Sequence, residues 1–407
     1  MTAVIGLGSP GTGLSPQGFV RTPSAGMADL RWADGRWAPP TGAPSEGPAG
    51  APPEGPAGEP AEGSAGGLRA LRGLRVRWPG EAGEPVLAGL LDLAAAGVPL
   101  HADEVPAWAV RADPAFAALL ADGGWLAETP RDAPNCTADL RREEHSVRLR
   151  RHGLARRERA GGQAGGGQAG GGRGTGAPKV SVVMSSMRPH LLESALAQIA
   201  RQRGVETEVL LGLHGVPAGH EAVRRAVGDC PLPVTVAEAD AATPFGEVLN
   251  LAAARASGDY VAKWDDDDWY GPGHLSDLLL ARSYSGADIV GTAAEFFYLE
   301  PLDVTVRRTD YTSEVWSDHV AGGTILLDRE LFRRTGGFPA LPAGVDAGFL
   351  KAARAAGARV YRTHGLGYVL RRSAAAEHTW RLSLAHFLRV ASNQWRGFRP
   401  SLILETS

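Results

Sequence analysis

GDYVAKWDDDDWYGP, residues 258–272, decides the fold of this 407-residue chain. Its first part, DYVAKW, reads as an apolar strand, and Asp265 to Asp268 follow at the strand's end. Working upstream, FGEVLNLAAARASG (245–258) has helical apolar spacing and stops at Gly258. LPVTVAEA (232–239) is a strand, EAVRRAVGD (221–229) a helix and TEVLLGLHG (207–215) a strand. HLLESALAQIARQRG (190–204) is a helix ending at Gly204, and KVSVVMSS (179–186) is the near-continuous apolar run of a buried strand. The order βαβαβαβ predicts a doubly wound, mostly parallel α/β sheet with helices on both faces. Ligands of such sheets sit beyond the carboxyl ends of the strands, which is where the acidic run lies.

Four adjacent carboxylates repel one another, so an ordered run needs an offset. A hard cation such as Mg²⁺ or Mn²⁺ supplies one, since carboxylate oxygens suit it. A solvated acidic turn is the alternative reading. The apolar strand before the run and Trp269-Tyr270-Gly271-Pro272 after it favour an ordered site.

At these residues the chain resembles the family 2 glycosyltransferases of GT-A fold. GDYVAKWDDDDWYGP is similar to the family's strand and DxD segment, and VSVVMSSMRP to its opening strand and loop. Asn250 falls where the family has an Asn ahead of that strand. GGTILLDRELFRRTGGF resembles the acceptor-side strand with its Gly-Gly-Phe turn, and VDAGFLKAARAAGARVY the segment that supplies the base. The likeness covers about residues 178–380 and implies a metal-dependent, inverting transfer of a sugar from a nucleotide-sugar donor to an acceptor hydroxyl.

The resemblance assigns roles. Asp265 would contact the nucleotide ribose and Asp267 would hold the metal, with Asp266 in the variable middle place. Asp268 would lie behind the ligand or near the donor sugar. Asp346 would be the general base, although Val345 stands where the family has Glu. An Asp early in a helix also suits a cap. His378 in EHTW would complete the metal site, with His364 a second candidate; imidazole suits Mn²⁺ better than Mg²⁺. Ser185 and Arg188 would line the nucleotide pocket with Asn250. The second strand ends in Leu213-His214-Gly215 where the family has an acidic residue reading uracil, so His214 takes that place. A UDP-sugar is the first expectation, with dTDP- and GDP-sugars open. Arg371 and Arg372 could meet phosphate oxygens. Trp269 and Trp316 offer stacking faces for a pyranose, and Trp264 is either such a face or core. Asp318 and Glu314 are the reserve choices for the base. The acceptor is not specified.

The rest of the chain differs in texture. Residues 1–67 hold 15 Gly and 11 Pro and read as a disordered tail. Residues 68–160 carry helical apolar spacing and end in a basic stretch; Asp139 to Arg159 has eight Arg against four acids. That stretch reads as a solvated helix docked on the catalytic domain, or as a contact for a membrane surface. Residues 161–177 are a Gly-rich linker, 178–380 the glycosyltransferase-like domain and 381–407 a helical extension. A formal net charge of −3 argues against a general nucleic-acid binder. Cys136 and Cys230 have no CxxC context, which excludes a disulfide scaffold. No apolar run reaches the roughly 18 residues of a membrane span, and no signal peptide is read, so a cytoplasmic protein is expected. Two other function classes compete. A nucleotidyltransferase would share the sheet and acidic site but needs a Gly-rich basic loop after the first strand, which VSVVMSSMRP lacks. A catalytically silent carbohydrate-binding protein would not need the intact acidic run and Asp346.

Overall fold

A computed structural model describes residues 23, 25–38, 68, 71–80, 83–127, 136–164, 177–373 and 382–405. The chain divides into two units, 1–171 and 172–407. The first contains β1 (Ala25–Ala33), β2 (Arg36–Ala38), β3 (Leu71–Arg77), α1 (Glu84–Ala95), β4 (Leu100–His101), α2 (Ala107–Ala112), α3 (Pro114–Ala121) and α4 (Thr137–Ala164). Its sheet has the order β2-β1-β3-β4. β1 and β2 turn at Asp34-Gly35, with φ of 51° and 73°. This left-handed two-residue turn matches the twist of the flanking strands. Leu30, Leu74, Leu90, Leu100 and Phe116 are fully buried in the unit's core.

Three expectations change here. Residues 25–38 lie within the segment read as a disordered tail, yet they form strands; the rest of 1–67 lies outside the described residues, apart from residue 23. The region read as helical is α/β, because β3 and β4 pair with β1. The basic stretch is packed within its own unit. Arg142 is fully buried and donates from Nε to the Arg72 carbonyl and from Nη2 to the Leu71 carbonyl, at 2.5 and 2.6 Å. Gly153 allows α4 to approach α1, since a Cβ there would meet Ala95 N at 2.6 Å and Leu91 O at 2.7 Å. α4 also runs four residues into the expected linker, and 165–176 lie outside the described residues. Among the described residues no helix is long and apolar enough to cross a membrane.

The second unit begins as read: β5 (Lys179–Ser186), α5 (Leu192–Ala200), β6 (Glu206–His214), α6 (Glu221–Asp229), β7 (Val234–Ala239), α7 (Phe245–Ala253) and β8 (Tyr260–Trp264). It continues through β9 (Trp269–Tyr270), α8 (His274–Ser285), β10 (Ile289–Thr292), β11 (Phe296–Leu299), β12 (Val304–Arg307), β13 (Val315–Trp316), β14 (Leu326–Asp328), α9 (Arg329–Arg334) and α10 (Val345–Ala355). β15 (Val360–Thr363), β16 (Tyr368–Arg372), α11 (Leu384–Val390) and β17 (Asn393–Arg396) complete it. The extension read as helical therefore also contributes β17, which pairs with β12.

The main sheet has the order β13-β15-β10-β14-β8-β5-β6-β7. β8, β5, β6 and β7 run parallel, while β14 is antiparallel to both of its neighbours. β8 is buried along its whole length and sits between β5 and β14. Val180, Val182, Val183, Val209, Leu211 and Val261 are fully buried. Each such side chain contributes roughly 1.5–3 kcal/mol of transfer free energy. A second sheet, β17-β12-β11-β16-β9, takes its edge strand β9 from the residues just after the acidic run. The run is thus tied to one sheet on each side.

Candidate active site

Asp265 to Asp268 form the turn between β8 and β9, and each carboxylate has a partner. Lys263 on β8 is buried, and its Nζ lies 2.6 Å from Asp265 Oδ1. Asp266 is buried; it accepts from Ser186 Oγ at 2.5 Å and from two nitrogens of Arg188. Arg188 Nη1 also donates to Asp267 Oδ2 at 2.7 Å. Asp268 accepts from the Tyr368 hydroxyl at 2.5 Å and from the Arg371 backbone N–H at 2.9 Å. Gln198 clamps the turn's backbone: it donates to the Asp268 carbonyl at 3.2 Å and accepts from Tyr270 N–H at 2.7 Å. The Tyr270 hydroxyl accepts from Asp265 N–H and donates to the Gly323 carbonyl, both at 3.0 Å.

Burial sets the electrostatics. It raises the carboxyl pKa of Asp268 well above the usual range, and the neighbouring Asp267 and Asp265 raise it further. Burial also raises Asp266, against the pull of Arg188. Asp265 is raised by burial, with Lys263 opposing. Burial alone would lower the Lys263 ammonium, but Asp265 and then Asp346 outweigh it and hold the group charged.

Asp346 reaches this cluster from α10. Its Oδ1 is 3.2 Å from Lys263 Nζ. The cap of α10 is Gly344, and Asp346 lies in the first turn, where a carboxylate suits the helix dipole. The capping reading is therefore set aside. Gly322 and Gly323, just before β14, make room for the two acids. A Cβ on Gly322 would meet Asp346 Oδ2 at 2.1 Å, and one on Gly323 would meet Asp265 Oδ2 at 2.6 Å and Tyr270 Oη at 2.7 Å.

Other expected residues fall near or away from this cluster. Ser185 is buried at the end of β5, and its hydroxyl has no hydrogen-bond partner among the described residues. His214 ends β6, with Nε2 3.2 Å from the Ala241 carbonyl oxygen. Asn250 is engaged by Phe338, donating to its carbonyl at 2.8 Å and accepting from its N–H at 2.9 Å, so it pins α7 to the Gly-Gly-Phe turn. Trp264 is core, stacked on Tyr270 at 3.6 Å. Trp269 and Trp316 are half-buried, and each has a guanidinium over its ring. Arg371 lies over the first, which also packs on Phe398, and Arg359 lies over the second. His364 is buried with Nε2 3.3 Å from Asp277 Oδ2. Arg371 pairs with Glu300 at 2.6 Å, while Arg372 donates to the Leu382 carbonyl at 3.0 Å and feels the charge of Asp267. Glu314 is consumed by the hydroxyls of Tyr284, Tyr361 and Thr363, and Asp318 pairs with Arg354. His378 lies outside the described residues.

Sequence reading missed Lys263, Gln198, Tyr270 and Tyr368. Lys263 carried a signal, because a lysine in an otherwise apolar buried strand requires a charged partner. The described residues contain no group of three or more His, Cys, Asp or Glu placed to hold a metal. A hard divalent cation in a phosphate-binding site takes one or two carboxylates and fills its remaining positions with water and substrate oxygens. Asp267, only 16% exposed and on the same turn as Asp265, has the donor chemistry for that mode.

Residues 182–336 match the family described as "Glycosyl transferase family 2". Among solved structures, the chain resembles a mannosyltransferase, PcManGT from Pyrobaculum calidifontis in complex with GDP-Man and Mn²⁺. The identity is 22%, with 53% of this chain and 63% of that one covered and a TM-score of 0.43. S. aureus TarS 1-349 in complex with UDP-GlcNAc matches at 17% identity, over 52% and 64%, with a TM-score of 0.40. The chain thus spans just under two thirds of the length of each. No curated protein matches it. The stretch similar to that family runs from β5 through β14 and α9 and includes the acidic turn between β8 and β9.

Proposed function

We propose that the second unit is a metal-dependent, inverting glycosyltransferase that carries a sugar from a nucleotide-sugar donor to an acceptor hydroxyl. The observation that carries this reading is the meeting of Asp346 with the acidic turn across a single ammonium, Lys263. Donor-side and acceptor-side carboxylates lie on neighbouring glycines, which suits a reaction that breaks one bond to the sugar and makes another.

Asp265 binds the ribose and Asp267 holds the cation. Mn²⁺ or Mg²⁺, when bound, supplies Lewis-acid stabilisation of the diphosphate charge. Arg188 holds Asp266 and Asp267 in register, and the unpartnered Ser185 hydroxyl is available to the nucleotide. Asp346 takes the proton of the acceptor hydroxyl, whose oxygen bonds to the anomeric carbon. The bond from that carbon to the diphosphate breaks, and its electron pair leaves with the phosphate oxygen. A base acting opposite the leaving group gives inversion. We assign a UDP-sugar as the first donor class to test, with GDP- and dTDP-sugars beside it, because His214 replaces the acidic reader of uracil.

A panel of UDP-, GDP- and dTDP-sugars incubated with the full chain in MnCl₂ tests this. Release of nucleoside diphosphate from at least one donor, stopped by EDTA, is the expected result. No release from any donor, or release indifferent to EDTA, contradicts it.

A further inference from the structure

Lys263 stands out because its position is costly. An ammonium removed from water needs close, well-placed anions to remain charged. Two carboxylates from distant parts of the chain meet it: Asp265, two residues along, at 2.6 Å, and Asp346, brought by α10, at 3.2 Å. The ring of Phe245, on α7, lies 6.0 Å from the same nitrogen. The Asp346 side chain is 32% exposed, but its Oδ1, the atom facing Lys263, is buried. The exposed part of the carboxylate is therefore on the Oδ2 side, where the missing Cβ of Gly322 leaves room.

Resting on the reading of function above, we propose that Lys263 is a positioning residue that fixes Asp346 by one oxygen, presents the other to the acceptor, and ties this base to the donor-side Asp265. The ammonium does not touch the reacting atoms. It selects one orientation of the Asp346 carboxylate and keeps two facing anions from repelling each other. Asp265 and Asp346 are 81 positions apart in the chain, so a residue hydrogen-bonded to the first and ion-paired with the second couples the donor half of the site to the acceptor half.

The test uses the full chain in MnCl₂ with UDP-glucose, UDP-N-acetylglucosamine and GDP-mannose as probes, water being the acceptor. Lys263→Gln keeps a polar tip, one atom shorter, and removes the charge. Its turnover is expected to fall about 10²-fold, the scale of a misplaced reacting group. At saturating donor, where loosened Asp265 no longer limits the rate, the double variant Lys263→Gln with Asp346→Asn should be no slower than Asp346→Asn alone, because both changes remove the same oriented carboxylate. Lys263→Arg should recover part of the loss. Multiplicative losses in the double variant, or Lys263→Gln within a few-fold of wild type, overturn the proposal. Thermal midpoints read the bridge without any activity. Lys263→Gln should lower the midpoint, and adding Asp346→Asn should restore part of it. A double variant less stable than Lys263→Gln, or one that fails to regain folding when the single variant unfolds, also overturns it. If wild type turns over none of the probes, the reading of function fails there, while the midpoints still decide whether the bridge exists.

Discussion

Asp268 shows how individual residues carry the cost of this site. It is buried, and burial together with Asp267 and Asp265 raises its carboxyl pKa well above the usual value. An acid whose pKa is raised on folding stabilises the native state at low pH and loses that contribution as the pH climbs through the folded pKa. Asp268→Asn keeps a carbonyl oxygen to accept from Tyr368 or Arg371 and removes the charge. The variant should therefore melt a few degrees above wild type at pH 7–8, at about 2–4 °C per kcal/mol for a unit of this size. The gain should shrink towards pH 4, where the unfolded chain is itself half protonated. Calorimetric midpoints across that range check it, and a difference independent of pH would contradict the account. Single residues were unevenly legible in sequence. The acidic run stood out by position and Asp346 by the resemblance of its segment, whereas Gln198 and Tyr368 gave no sign, because their roles arise from contacts 70 and 100 residues away.

At the scale of elements, the Gly322-Gly323 turn has the most direct consequence. Neither glycine has a positive φ, so alanine is acceptable to the backbone at both positions. What alanine meets is the tip of a carboxylate: Asp346 at Gly322 and Asp265 at Gly323. Gly322→Ala should cut turnover about 10²-fold with nucleotide affinity nearly unchanged, and Gly323→Ala should weaken nucleotide binding first. Kinetics with calorimetric titration of UDP and GDP in MnCl₂ separate the two, and equal effects from both changes would show that the turn does not sort donor from acceptor. The first seven elements of this unit were readable because long apolar runs alternate with helical spacing. The strands from β9 onward were harder to read. Many are two to four residues long, too short to show a period, and they are held by pairing with distant partners such as β16 with β11.

The whole molecule joins this domain to a first unit whose sheet the sequence concealed. Composition averaged over 67 residues hid the Asp34-Gly35 hairpin, and β1 gains its partner β3 from 46 positions downstream. The basic stretch likewise looked like an open charged helix until Arg142 was found bonded to the carbonyls of β3. Chemistry in the second unit depends on the acidic turn, and nucleoside diphosphate release by the full chain in MnCl₂ tests it, wild type against Asp267→Ala, with whichever donor wild type turns over fastest. Asp267 is paired with one edge of the Arg188 fork, part of its side chain is exposed, and Arg188 keeps Asp266 without it, so the variant should stay folded. Release should fall to background in Asp267→Ala while its thermal midpoint stays near that of wild type. Full turnover in a folded Asp267→Ala variant would contradict it.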